Sequence, residues 1–157
     1  MFDFLKKNKQ LELYAPASGE LKSITEVNDP VFADKLIGDG YAVIPTIGDV
    51  TSPVIGKIST IFPTKHAIGI TTPQGDEVLV HIGIDTVELK GEPFESVAKI
   101  GDKVSKNSII AKVDLQKLIE LKKDTSIIVV FTSGRILNNS GIHSGTKVEK
   151  GDIVGII

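Results

Sequence analysis

Ala15-Pro16-Ala17-Ser18-Gly19-Glu20-Leu21-Lys22-Ser23-Ile24 returns further along the chain as Ser52-Pro53-Val54-Ile55-Gly56-Lys57-Ile58-Ser59-Thr60-Ile61. Each copy is a Pro, a Gly three residues later, and then alternating apolar residues, which is a turn feeding a strand. Ser133-Gly134-Arg135-Ile136-Leu137 echoes the end of the unit. Residues 100–110, with Gly101-Asp102-Lys103-Val104, are matched in turn by residues 144–154, with Gly145-Thr146-Lys147-Val148. The spacing is too irregular for a solenoid. It indicates an internal duplication folded into one β-domain, with no linker between the halves.

The stretches between the repeats agree. Tyr41-Ala42-Val43-Ile44, Ala67-Ile68-Gly69-Ile70-Thr71 and Ser126-Ile127-Ile128-Val129-Val130-Phe131 are short β-branched runs, and 15 Gly and 7 Pro supply the turns. The expected fold is all-β, an antiparallel β-sandwich or partly open barrel, with one or two short helices. Asp114 caps the clearest helix, which would place Leu115, Leu118, Ile119 and Lys122 on one face. Short helical turns are expected after Pro30, over residues 31–36, and after Pro93. Aromatics are only 5% of the chain and Trp is absent, so the core must be Ile, Val and Leu.

Composition removes several function classes. The net charge of -2 leaves no basic footprint for nucleic acid. With no Cys there is no disulfide scaffold, thiol catalysis or Cys-type zinc site. No apolar run reaches the ~20 residues that span a bilayer. Met1-Phe2-Asp3-Phe4-Leu5-Lys6-Lys7 is too short and polar for a secretory signal. Residues 1–10 read as a flexible arm, with at most weak membrane contact through residues 1–9, and residues 11–157 as a single domain. No Walker loop, Gly-x-Gly-x-x-Gly or Gly-x-Ser-x-Gly elbow occurs.

The chemistry lies in Val78-Leu79-Val80-His81-Ile82-Gly83-Ile84-Asp85. Alternation puts His81 on the face of Leu79, opposite Val78, Val80 and Ile82. Upstream, Thr64 and His66 fall on the side of Ile68, and Thr72-Pro73-Gln74-Gly75-Asp76 makes a hairpin turn between the two strands. Three readings of two neighbouring imidazoles stay open. One histidine could be a nucleophile for a phosphoryl group while the other hydrogen-bonds it, because neutral imidazole is abundant near its pKa of ~6.5. The two with Asp85 could hold zinc, although the compact His pairs of such sites are missing. They could also be ordinary strand histidines. His143 reads as a solvated turn residue. Lys117, Lys122 and Lys123 read as a solvated helix face.

The strings Ala15-Pro16, Ser18-Gly19-Glu20, Val31-Phe32-Ala33, Gly38-Asp39-Gly40, Thr64-Lys65-His66-Ala67 and His81-Ile82-Gly83-Ile84-Asp85-Thr86-Val87-Glu88-Leu89-Lys90-Gly91 give the chain a resemblance to one family. It is similar to the glucose-type IIA domain of the bacterial phosphoenolpyruvate-dependent sugar phosphotransferase system, from about Leu11 to the end. The resemblance implies a cytoplasmic, monomeric phosphocarrier with a sandwich of the duplicated hybrid-motif type and no cofactor. It implies that His81 accepts phosphoryl from the histidine-containing phosphocarrier protein and passes it to a cysteine on the IIB domain of a sugar permease. It implies that His66 hydrogen-bonds the phosphoryl group and that Thr64 orients His66. Asp85 and Asp29 would be rim charges that meet the donor protein, and Phe32, Phe62, Leu79 and Val87 an apolar ring. Zinc at His66 and His81 would be incidental. Leu79 and Ile82 stand where many relatives carry an aromatic, which would alter the shape of that surface.

Overall fold

A computed structural model of the chain describes residues 10–138 and 140–157; the expected arm and its membrane contact through residues 1–9 lie outside the described residues. Every strand pairing among these residues is antiparallel. The largest sheet has eight strands in the order β12 (Lys147–Val148), β2 (Gly19–Ser23), β3 (Asp39–Pro45), β11 (Ile127–Phe131), β7 (Glu77–Ile82), β6 (Ala67–Thr71), β5 (Gly56–Ile61) and β9 (Lys103–Val104). A three-stranded sheet runs β4 (Asp49–Thr51), β10 (Ile109–Val113), β8 (Phe94–Ser96). A ribbon pairs β1 (Glu12–Tyr14) with β13 (Ile153–Ile156). The result is an open sandwich.

The repeats seen in the sequence are reciprocal in space. Tyr14 N–H donates to the Pro53 carbonyl at 2.8 Å, and Thr51 N–H, the matching residue, donates to Pro16 at 2.8 Å. Leu21 exchanges bonds with Thr146 and Gly145 at 2.8 and 2.7 Å, as Ile58 does with Asp102 and Gly101 at 2.9 and 2.8 Å. The order of the large sheet reads the same from both ends once β2 is matched to β5, β3 to β6, β11 to β7 and β12 to β9. The copy made of β4, β5, β6, β7, β9 and β10 is therefore nested inside the copy made of β1, β2, β3, β11, β12 and β13.

Strand β11 shows why an unbroken apolar run can be a strand. All five of its residues are buried, so both faces of the sheet are covered. On one side Ile127, Val129 and Phe131 join Tyr41, Val43, Val78, Val80 and Ile82 in the main core. On the other, Ile128 and Val130 join Ala42, Ile24, Val27, Phe32 and Ile84 in a smaller cluster, with Leu79 packed against it. The lid over that cluster is residues 24–33. Ser23 opens a 3-10 turn at Ile24–Glu26 with a capping box to Glu26, and Asp29 caps helix α1 (Pro30–Ala33), with Pro at its first turn.

Four local expectations need correction. Helix α1 stops at Ala33, short of residue 36. Residues after Pro93 form β8 because Phe94 pairs across to Val113. Helix α2 (Leu115–Glu120) is capped by Asp114 as expected, and Leu118 is its buried anchor, but Ile119 is 59% exposed because the helix is too short to present a wide apolar stripe. Ile82 is fully buried in the main core and shapes no surface.

Candidate functional site

His81 lies on β7 on the face turned away from the main core, opposite Ile128 of β11 and Ala67 of β6. That register brings the two histidines together. Simple alternation would send His66 to the side of Ile68, which is core. The chain avoids this because Lys65 adopts a left-handed conformation at φ 58°, and β6 begins only at Ala67. The His66 carbonyl still accepts the Ile82 N–H at 2.7 Å, so the backbone is in the ladder while the ring packs on His81. The ring centroids of His66 and His81 are 5.1 Å apart.

Each imidazole has a fixed partner on one nitrogen. His81 Nδ1 is 2.8 Å from the Gly83 carbonyl, and His66 Nδ1 is 2.5 Å from Thr64 Oγ1. Phe32 stacks at a tilt on His81 with centroids 5.0 Å apart, and Phe62 meets His66 edge-on at 5.4 Å. Phe32 is buried beneath the site; Phe62 and Val87 stand at the surface, and Leu79 is half-buried two residues before His81. Burial pushes the His81 pKa down to about 4; proximity of His66 pushes the same way, while the Gly83 carbonyl and the carboxylates of Asp29 and Asp85 partly oppose it. Burial also lowers His66.

Asp29 and Asp85 are thus close enough for His81 to feel both. Asp29 Oδ1 accepts the Val31 N–H at 3.0 Å, so this carboxylate is held in place by the helix it caps. Asp85 is exposed and left-handed, at φ 58°, and opens the 3-10 turn Thr86–Leu89. Among the described residues no group of three or more His, Asp or Glu is arranged to hold a metal ion. His143 is exposed and distant in the sequence from these elements, as expected.

The loop after His81 carries residues that sequence reasoning missed. Gly83 N–H donates to the Ser126 carbonyl at 2.7 Å and Ile84 N–H to the Asp124 carbonyl at 3.1 Å. Thr86 Oγ1, fully buried, donates to the Ile82 carbonyl at 2.6 Å. Asp124 Oδ1 accepts from both the N–H and the hydroxyl of Ser126, at 2.8 and 2.6 Å. The signal was available: Asp-x-Ser at 124–126 is an Asx-turn pattern next to a strand.

A family model described as phosphoenolpyruvate-dependent sugar phosphotransferase system, EIIA 1, matches residues 11–136. The chain is 38% identical over 144 residues to the PTS system glucose-specific EIIA component of Staphylococcus aureus, covering 92% of this chain and 87% of that one. It is 49% identical over 123 residues to the PTS system glucose-specific EIICBA component of Streptococcus pneumoniae; that match covers 78% of this chain but spans only 17% of the longer protein. Among solved structures, the glucose permease IIA from Mycoplasma capricolum superposes with a TM-score of 0.84 at 39% identity, covering 95% of this chain and 96% of that one.

Proposed function

The chain belongs to the EIIA 1 family of the phosphoenolpyruvate-dependent sugar phosphotransferase system, and from that premise we propose that His81 is the residue that carries the phosphoryl group. The protein is a phosphotransferase component that serves sugar uptake by holding the group as a phosphohistidine. No helix among its described residues is long and apolar enough to cross a membrane.

The observation that carries the reading is the contact between His81 Nδ1 and the Gly83 carbonyl. A carbonyl can only accept, so Nδ1 holds the proton and Nε2 keeps its lone pair. A pKa near 4 keeps the ring neutral across the physiological range, so the nucleophile is always available. In the forward step Nε2 attacks phosphorus as the donor's N–P bond breaks, and the donor imidazole leaves with the electron pair. The His81 ring becomes positive, and its Nδ1–H bond to Gly83 strengthens as it does. In the next step an acceptor thiolate attacks phosphorus, the Nε2–P bond breaks, and the ring returns to neutral.

His66 serves the transferred group. With the Thr64 hydroxyl donating to Nδ1, Nε2 of His66 carries its proton and donates to a phosphoryl oxygen. The donor is the histidine-containing phosphocarrier protein, and the acceptor is a cysteine on the IIB domain of a sugar permease. The EIICBA relatives support a permease partner, since their names join an A component to B and C components in one chain. Their names also favour glucose or a glucoside as the sugar. The exposed Phe62, Val87 and Asp85 suit a transient docking face, apolar with a charged rim.

Labelling tests this directly. Phosphoenolpyruvate, enzyme I and the histidine-containing phosphocarrier protein should load one acid-labile, base-stable phosphoryl group, and His81→Ala should accept none. Normal labelling of that variant would sink the proposal.

A further inference from the structure

The Gly83 carbonyl can fix the His81 tautomer only if its own peptide is held still. Two consecutive amides flank that carbonyl, those of Gly83 and Ile84, and both donate to residues 124–126. The side chain of Asp124 shapes that receiving segment. One oxygen takes the Ser126 N–H and hydroxyl, and the other takes Asn28 Nδ2 at 3.1 Å. Asn28 immediately precedes Asp29, whose carboxylate caps α1 and so supports Phe32, the ring packed on His81. Lys123, the next residue back, pairs with Glu88 in the turn that closes the same loop. Asp124 therefore joins the two segments that border His81, one bearing its carbonyl partner and the other its aromatic neighbour.

We infer that Asp124 is a positioning residue for phosphoryl transfer, acting through Ser126 and the Gly83 peptide to hold His81 with its proton on Nδ1. It touches neither the reacting nitrogen nor the phosphoryl group. Its work is to keep the peptide behind His81 from turning, because a nucleophile displaced by a fraction of an ångström or held in the wrong tautomer reacts slowly. Gly83 needs such an external clamp. At φ +74° it is a residue the backbone alone would not hold in place, and a Cβ there would meet Thr86 Cγ2 at 2.6 Å and the Asp124 carbonyl at 3.0 Å.

The inference rests on His81 as acceptor, and labelling of the wild-type protein decides that separately. The test of Asp124 uses the unphosphorylated protein. Nitrogen NMR of wild type should show one His81 tautomer, with a slowly exchanging Nδ1–H. Asp124→Ala should mix the tautomers or speed exchange of that proton about tenfold, and slow phosphoryl acceptance by about the same factor, in a protein that still melts cooperatively. A folded Asp124→Ala protein with the wild-type tautomer and exchange rate would overturn the inference. Should that variant fail to fold, Ser126→Ala removes only the hydroxyl donor and reads the same proton: faster exchange supports the role, and unchanged exchange overturns it. Asp124→Asn, which keeps an acceptor for the Ser126 amide, should restore much of the wild-type signal; no restoration would count against a role through that turn.

Discussion

His66 and His81 stand edge to face, with ring planes at 76° and centroids 5.1 Å apart. The arrangement suits the two duties proposed for these rings. His66 is buried and tied to the Thr64 hydroxyl, while the partly exposed His81 is tied to the Gly83 carbonyl. His66→Ala should therefore still be phosphorylated on His81 but pass the group on about 10²-fold more slowly, the usual cost of removing one donor to a developing charge. Onward transfer to a IIB domain at the wild-type rate would remove His66 from its role.

The lowered His81 pKa sets a pH window. The group binds its proton near 6.5 when unfolded and near 4 when folded. Between those values the unfolded chain holds more protons, so stability falls as pH drops through the window. His66 is shifted in the same direction and adds to the effect. His81→Gln removes the larger share, so the variant should lose less stability than wild type between pH 7 and pH 4.5 in parallel urea melts. An equal or steeper loss would contradict the burial of a neutral ring. Phosphoryl acceptance by wild type should stay flat from pH 8 to 6.

Gly83→Ala combines a left-handed backbone with a contact that has no room. The expected cost is about 3 kcal/mol, from the conformational penalty and the overpacked neighbours together. Gly75, equally left-handed at φ +94° but with open space around its Cβ position, should cost only about 1 kcal/mol on the same substitution. Equal effects in chemical denaturation would show that space around Gly83 is unimportant.

Arg135 clamps the β6–β7 hairpin. Its Nε and Nη2 donate to the two oxygens of the buried Asp76 at 3.1 and 2.9 Å. Arg135→Met would leave that carboxylate short of its main partner, at about 2 kcal/mol. Asp76→Asn in the Arg135→Met background should return part of the loss, read as a shift in the urea midpoint. No recovery would place the energy of Arg135 in its contacts to other groups.

Much of this was legible in the chain. The duplication at residues 15–24 and 52–61 forecast the architecture, because turn glycines and alternating apolar residues are local signals that tertiary packing did not override. His81 and its outward face followed from strand periodicity. What failed did so for physical reasons. His66 could not be placed by alternation, since a single left-handed Lys65 resets the phase before β6 begins. The strand after Pro93 was hidden because β8 is only three residues long and owes its form to β10. The carbonyl behind His81 and the Asp124 clamp were invisible because hydrogen bonds from Gly83 and Ile84 span some forty residues of sequence, and no periodicity reports such a contact. The family resemblance pointed to Asp29, Phe32 and Thr64, which residue types alone did not single out and which the structure sets around the two histidines.

The ribbon of β1 and β13 has a consequence for how this unit can be joined to others. Leu11 and Ile157 exchange backbone hydrogen bonds at 2.7 and 2.9 Å, so the polypeptide enters and leaves the sandwich at one spot. A tether attached before Leu11 or after Ile157 would grip the same handle. A connection made on either side would therefore meet the sandwich at the same edge.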